Sequence, residues 1–297
     1  MRVLAVLAMT SVLGVPAHET LAVEGAVQYP HGAEGLMAGA LPPPGTYVLA
    51  YGIHYTGTRK DGDGNNLVTP TGANVALTVD AIALRAVHMT HLQLLGGQVG
   101  MHAVVPFFNN TLTVGPASNT SAALGDIVID PFILAWHFPT VHAAVAIDVV
   151  LPTGAFSKTQ PLGNNAGANY FSFEPLAAVT WFPGAGWEVD AKAMYNVKTR
   201  NHATDYRSGD EFHMDYTLGK ALNDSFKLGL GGYFDVQIQG DDQAGVDVGN
   251  KARYFAVGPE VAYQAGPVSV IAKWQTELVS HNAFQGNRVI FKLVAPL

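Results

Sequence analysis

The residues GWEVDAKAMYNVKT at 186–199 sort into two files. Trp187, Val189, Ala191, Ala193, Tyr195 and Val197 alternate with Glu188, Asp190, Lys192, Met194, Asn196 and Lys198, and only Met194 is out of place. A helix could pair Glu188 with Lys192 one turn on, but its spacing would scatter the apolar residues around the cylinder. A period of two predicts a strand with one apolar and one charged face.

Twelve segments carry that period. The first is TYVLAYGIHYTG, and the others lie at about 74–89, 98–107, 126–138, 142–151, 169–182, 186–199, 210–221, 226–239, 251–265, 268–278 and 288–297. Most run ten to fourteen residues. That exceeds the usual five or so of soluble sheets and suits a tilted strand crossing a bilayer, at roughly 9–11 residues. The connections alternate as well. Long polar stretches such as TRKDGDGNNLVTPTG, NNTLTVGPASNTSAALG, PTGAFSKTQPLGNNAGA and VSHNAFQGN follow odd strands, and short ones such as PTV, PGA, NDS and GP follow even strands. Bacterial outer-membrane barrels have this asymmetry, with long extracellular loops and short periplasmic turns.

Which file faces which solvent is the remaining question. Leu228, Leu230, Phe234, Val236 and Ile238 oppose Lys227, Asp235, Gln237 and Gln239, and Val268, Val270, Ala272, Trp274 and Leu278 oppose Ser269, Lys273, Gln275 and Glu277. A soluble domain would bury the apolar file, whereas a membrane barrel turns it to lipid and the charged file to the lumen. Strand length and loop asymmetry favour the barrel. Three residues fit it poorly. Arg85 falls on the apolar parity if Asp80 points inward, so a bulge or a headgroup-level position is expected there. Pro131 and Pro175 lie inside strands, where bulges are also expected.

Composition narrows the picture further. Only 13% of the 297 residues are charged against 48% apolar, and about 25% charged is usual for soluble chains. The net charge of -7 argues against nucleic acid as a partner, since there is no basic excess to neutralise phosphates. Absence of cysteine excludes disulfides and thiolate metal sites. The start MRVLAVLAMTSVLGVPA reads as a secretory signal over 1–22, cleaved near 17 or 22. Residues 23–45, rich in Gly and Pro and ending in Pro42-Pro43-Pro44, read as an N-terminal periplasmic or plug segment tucked into or under the periplasmic mouth. The barrel occupies 46–297.

Candidate chemistry is sparse. HMTH at 88–91 sends its two rings to opposite faces of a strand. DGDGNN at 61–66 begins like a calcium loop but has Asn66 and Gly72 where Gly and Glu are required. No G-x-S-x-G elbow occurs. His213 and Asp215 share a face, which leaves a lipid or ester hydrolase barrel open as an alternative, beside a secreted soluble β-sandwich binder. No catalytic residue, metal site or cofactor is assigned.

The stretches YPHGAEGLMAGALPPPGTYVLAY and GDIVIDPFILAWHF with its following LPTGAF, together with the ending FKLVAPL, resemble the outer-membrane channels grouped under the "MetA-pathway of phenol degradation". The resemblance runs over nearly the whole chain after the signal. It implies a monomeric barrel of twelve strands that takes up small, often hydrophobic or aromatic molecules. One departure stands: the chain ends Pro296-Leu297 instead of in the usual terminal Phe read by the insertion machinery.

The expected protein is thus all-β, a transmembrane antiparallel up-and-down β-barrel of about twelve strands in the bacterial outer membrane. Its partners are outer-membrane lipid, the barrel-insertion machinery and a small-molecule substrate. Expected lumen residues are Glu174, Glu188, Asp190, Lys192, Lys198, Asp235, Glu260, Lys273 and Glu277, a mix of signs that predicts weak ion selectivity. Phe156, Leu162 and Phe284 are the expected first contacts for an apolar substrate on the extracellular loops.

Overall fold

A computed structural model describes residues 30–69 and 72–297; the expected signal sequence over 1–22 and the start of the expected N-terminal segment, 23–29, lie outside the described residues. Sixteen strands occur among them. In chain order they are β1 (Gly45–Arg59), β2 (Val75–Leu94), β3 (Gly97–Val114), β4 (Ala117–Leu124), β5 (Ile127–His137), β6 (Val141–Leu151), β7 (Ser172–Gly184) and β8 (Trp187–Lys198). They continue as β9 (Tyr206–Arg207), β10 (Glu211–Ala221), β11 (Phe226–Gln237), β12 (Asp241–Gln243), β13 (Val246–Gly249), β14 (Arg253–Ala265), β15 (Val268–His281) and β16 (Phe284–Pro296).

Twelve of these close a barrel in which each strand pairs antiparallel with its neighbours in the chain. The ring is completed by β1 against β16, in register from Tyr47↔Pro296 to Arg59↔Phe284. Closure leaves the wall without an edge, so its backbone groups find partners without water. The wall is inside-out. Ile82, Leu84, Leu218, Leu230, Trp274 and Phe291 are exposed on its outer face, while Glu174, Glu188, Asp190, Lys198 and Asp235 are at most 2% exposed. At the short-turn end Trp181 and Trp187 flank the turn at Ala185-Gly186, and the Lys220 ammonium stands 4.9 Å over the Trp187 ring. Aromatic and basic groups together mark a lipid headgroup boundary. The long-loop end is therefore extracellular.

Several sequence expectations change. NNTLTVGPASNTSAALG is not a loop: β3 runs on to Val114, turns at Gly115 (φ 56°) and returns as β4. Its threonines pair across the ribbon, Thr111 with Thr120 at 2.9 Å and Thr113 with Ser118 at 3.3 Å. Polarity suggested a loop because this part of the wall projects beyond lipid, yet threonine's branched side chain suits a strand. Likewise VSHNAFQGN is mostly strand, with a two-residue turn at Asn282-Ala283. The loop candidate Phe284 is thus the first residue of β16 and buried. A further small sheet, β13-β12-β9, forms from loop residues.

Arg85 needs no bulge, because the β1–β2 register is continuous there. Instead Asp80 faces outward with His54, Nδ1 to Oδ1 at 2.7 Å, beside outward Asn109, and Arg85 faces the lumen. At Pro131 both neighbouring ladders shift register, as a bulge requires. Pro175 differs: the β7–β8 ladder skips from Phe173↔Val197 to Leu176↔Met194 in unchanged register. The missing N–H is absorbed as a gap.

Lipid exposure of the outer file predicts the cost of charging it. Leu230→Arg should lower unfolding free energy in lipid by about 2–4 kcal/mol, and Thr78→Arg, near the extracellular boundary, by about 0–1 kcal/mol. Equal effects in reversible denaturant titrations would contradict the placement of the apolar belt.

Candidate functional site in the barrel lumen

Inward side chains line two unlike walls. On β1, β2 and β3 the inner face carries Ile53, Tyr55, Leu77, Val79, Ala83 and Phe108, placed together by the pairings Ile53↔Ala81, Tyr55↔Val79 and Ala81↔Phe108. From β7 to β15 the inner face is charged. All nine lumen candidates point into it and are buried, but they do not border open water. Glu174 takes His213 Nε2 at 3.0 Å and Asn196 Nδ2 at 2.7 Å. Lys198 holds Glu211 at 2.7 Å, Asp235 lies 3.6 Å from His31, and Glu277 accepts the hydroxyls of Tyr55 (2.8 Å) and Tyr233.

Lys192 stands opposite Asp215 in the β8–β10 register, and Glu188, Asp190, Glu260 and Lys273 meet residues 31–39, which run inside the wall. Asp215 accepts the N–H of Gly32 at 2.8 Å and of Glu34 at 3.1 Å. Glu260 accepts from Leu36 at 3.1 Å, Glu188 from Met37 at 2.7 Å, Asp190 from Ala38 at 3.2 Å and the Thr180 hydroxyl from Gly39 at 2.9 Å. In the other direction Lys273 donates to the carbonyls of Gly32 and Ala33 at 3.2 and 3.1 Å, and Arg288 to that of His31. Turn hydrogen bonds within the segment, such as Ala33 N–H to Pro30 and Ala38 N–H to Gly35, pair only some of its backbone groups, and ionised side chains make strong partners for the rest. Close approach is essential at Gly39, where a Cβ would stand 2.6 Å from the Thr180 backbone nitrogen.

One side chain of this segment crosses to the other wall. Glu34 Oε1 accepts Arg85 Nη1 and the Tyr51 hydroxyl, each at 3.0 Å, and Oε2 accepts Lys292. Burial by itself would raise the Glu34 carboxyl, but Lys292, Arg85 and Lys192 outweigh it and hold the group well below the usual carboxylate range. Arg85 is braced from behind by His102 Nδ1 at 2.8 Å, whose Nε2 meets Asp148 at 3.0 Å.

The loop candidates divide. Leu162, in a 3-10 turn at Pro161–Gly163, packs against a cluster of Tyr55, Val75, Leu112 and Phe284 at the extracellular end. Phe156 is half-buried in the same loop and outside that cluster. Residues that sequence reasoning missed include Glu34, Arg85, Asp215 and Lys292. Asp215 and Lys292 lie on inward parities and were findable; Glu34 belongs to a segment with no period.

His213 is engaged by Glu174, and Asp215 accepts backbone N–H groups of the docked segment. Among the described residues two sets bring possible metal-ligand atoms within 4.8 Å, His31 with Glu211 and His213, and His102 with Asp130 and Asp148. In the second, the Arg85 guanidinium on His102 opposes a cation.

Among solved structures the chain resembles the COG4313 outer membrane channel from Pseudomonas putida F1, at TM-score 0.77 and 16% identity over 88% of this chain and 98% of that one. It also resembles the translocator domain of autotransporter NalP from Neisseria meningitidis, at TM-score 0.54 and 9% identity over 87% and 91%. A third is the β domain of the Bordetella autotransporter BrkA, at 0.50 and 7% over 86% and 100%. At these identities the likeness is one of fold. No curated protein matches the sequence. The architecture is that of a bacterial outer-membrane channel, and over residues 56–293 the chain matches the family described as "Putative MetA-pathway of phenol degradation", to which it belongs.

Proposed function

We propose that the protein passes small apolar or aromatic molecules across the outer membrane and that residues 31–39 close the path when docked. The observation that carries this reading is the division of the lumen: an apolar inner face on β1–β3 offers a surface for such a molecule, and the docked segment fills the space between it and the charged wall. Entry past Leu162 and Phe284 at the extracellular end would bring the molecule onto Tyr55, Leu77 and Val79, which continue the same face. The family's connection with phenol degradation is consistent with an aromatic substrate. Twelve strands enclose less space than the sixteen or so of open aqueous porins, so a segment of nine residues suffices to obstruct the lumen.

Deleting residues 31–39 should raise single-channel conductance in planar bilayers several-fold, and Gly39→Val should raise it less, by displacing only the lower end of the segment. Unchanged conductance in the deletion variant would refute closure by these residues. In a salt gradient the deletion variant should show a reversal potential near zero, because the wall exposes both signs.

Filling the apolar face tests the substrate class separately. Ala83→Trp should abolish the growth advantage that the wild-type protein gives a deletion strain at low concentrations of an aromatic carbon source, without changing folding judged by heat-dependent gel mobility. Full complementation by Ala83→Trp would exclude the β1–β3 face as the route.

A further inference from the structure

Glu34 is the point at which the docked segment behaves as a bound molecule would. Its carboxylate is received by three side chains of the barrel wall. Tyr51 and Lys292 are directly opposed in the β1–β16 register, with the Lys292 ammonium 5.6 Å over the Tyr51 ring. Arg85, opposite Leu49 in the β1–β2 register, is oriented from behind by His102 and Asp148. The three donors converge on both carboxylate oxygens. Arg85 Nε is buried and has no acceptor among the described residues. Arg85 gives Nη1 to the carboxylate while its Nη2 meets His102, and Lys292 and the Tyr51 hydroxyl supply the other donors, a two-cation, one-hydroxyl set that suits a small carboxylate.

The surroundings select what is attached to the carboxylate. Leu49, Tyr51, Val87, Met89, Ala135 and Ala144 form a buried apolar cluster on the same stretch of inner wall, immediately beside Arg85. Glu34 reaches the cradle through two methylenes, whereas a flat ring could cover this cluster. We propose that the Arg85–Lys292–Tyr51 cradle is a binding site for a small aromatic carboxylate, which takes the place of Glu34 and so releases the segment. The inference rests on the channel reading given above and narrows its substrate class to include monoanionic aromatic acids.

Exchange follows from charge. Withdrawing Glu34 alone would leave Arg85 and Lys292 in a low-dielectric wall without a counter-ion, which disfavours undocking. An incoming carboxylate supplies that counter-ion. A neutral aromatic molecule does not. Docked segment and ligand therefore compete for one site, and each weakens the other by the same factor.

The test is calorimetric titration of sodium benzoate into the detergent-purified full-length protein. Glu34→Gln, which keeps side-chain volume but gives up the charge, should bind benzoate about tenfold more tightly than wild type, and acetate about tenfold more weakly than benzoate. Adding Lys292→Met or Arg85→Met to Glu34→Gln should weaken benzoate binding by about tenfold or more. Adding Tyr51→Phe, which removes one donor at almost constant volume, should weaken it about threefold. If the methionine variants fail to show heat-dependent gel mobility, the Tyr51→Phe result decides. Benzoate bound no more tightly by Glu34→Gln than by wild type, or unaffected by Tyr51→Phe, would overturn the proposal. Failure of the channel reading would look different: no conductance after deletion of residues 31–39, whatever the titrations give.

Discussion

Hydrocarbon outside the wall offers no hydrogen bond to a backbone amide, and the architecture follows from that constraint. Every strand must be paired on both sides, so the sheet closes through β1 and β16. Once closed, each strand can only alternate. One residue in two is sent into a lumen narrower than that of an aqueous porin, and the charges carried there are beyond easy reach of bulk water. They must be answered by other protein groups, because an unpartnered buried charge is costly. The ion pairs among wall residues answer some of them, and the backbone of residues 31–39 answers most of the others.

This division explains why an irregular segment is stable inside a barrel. Amide groups that its own turns leave over would be orphaned in an apolar cavity, but Asp215, Glu260, Glu188 and Asp190, from three strands of the wall, accept them. Glu34 ties the same segment to Arg85 and Lys292 across the lumen. The segment thus straps a charged wall to the few cations of an otherwise apolar one. Removing it would uncover an apolar face together with carboxylates and cations that now hold the segment, the kind of mixed surface along which a molecule with an apolar body and a polar end can move.

Much of the wall was legible in the chain because hydrophobic alternation is enforced at nearly every position of a membrane strand. The twelve segments read from that period correspond to the twelve barrel strands. Errors fell where lipid does not enforce it. The β3–β4 ribbon projects beyond the membrane and reads as a polar loop; Asp80 faces outward at the boundary, where His54 and Asn109 accompany it. Phe284 is expected on a loop because VSHNAFQGN reads as a long polar stretch, yet a two-residue turn at Asn282-Ala283, with Asn282 at φ 49°, reverses the chain. The two prolines show the limit of local reading. Both remove one donor, but Pro131 is accommodated by a register shift and Pro175 by a skipped bond, a choice made by the strands beside them.

From the sequence by itself came the barrel as the favoured architecture, the alternation of its strands and the expected common face of the nine charged residues, because each of these depends on local periodicity and on the solvent outside. Only the tertiary structure decided what those charges hold. The partners of Asp215 lie about 180 positions away in the chain, at Gly32 and Glu34, in a segment whose own pattern carries no period. GWEVDAKAMYNVKT shows both halves of this. Its alternation is sufficient to turn Glu188 and Asp190 inward, but that they receive the amides of Met37 and Ala38 follows from the path of another part of the chain through a space that strand periodicity does not describe.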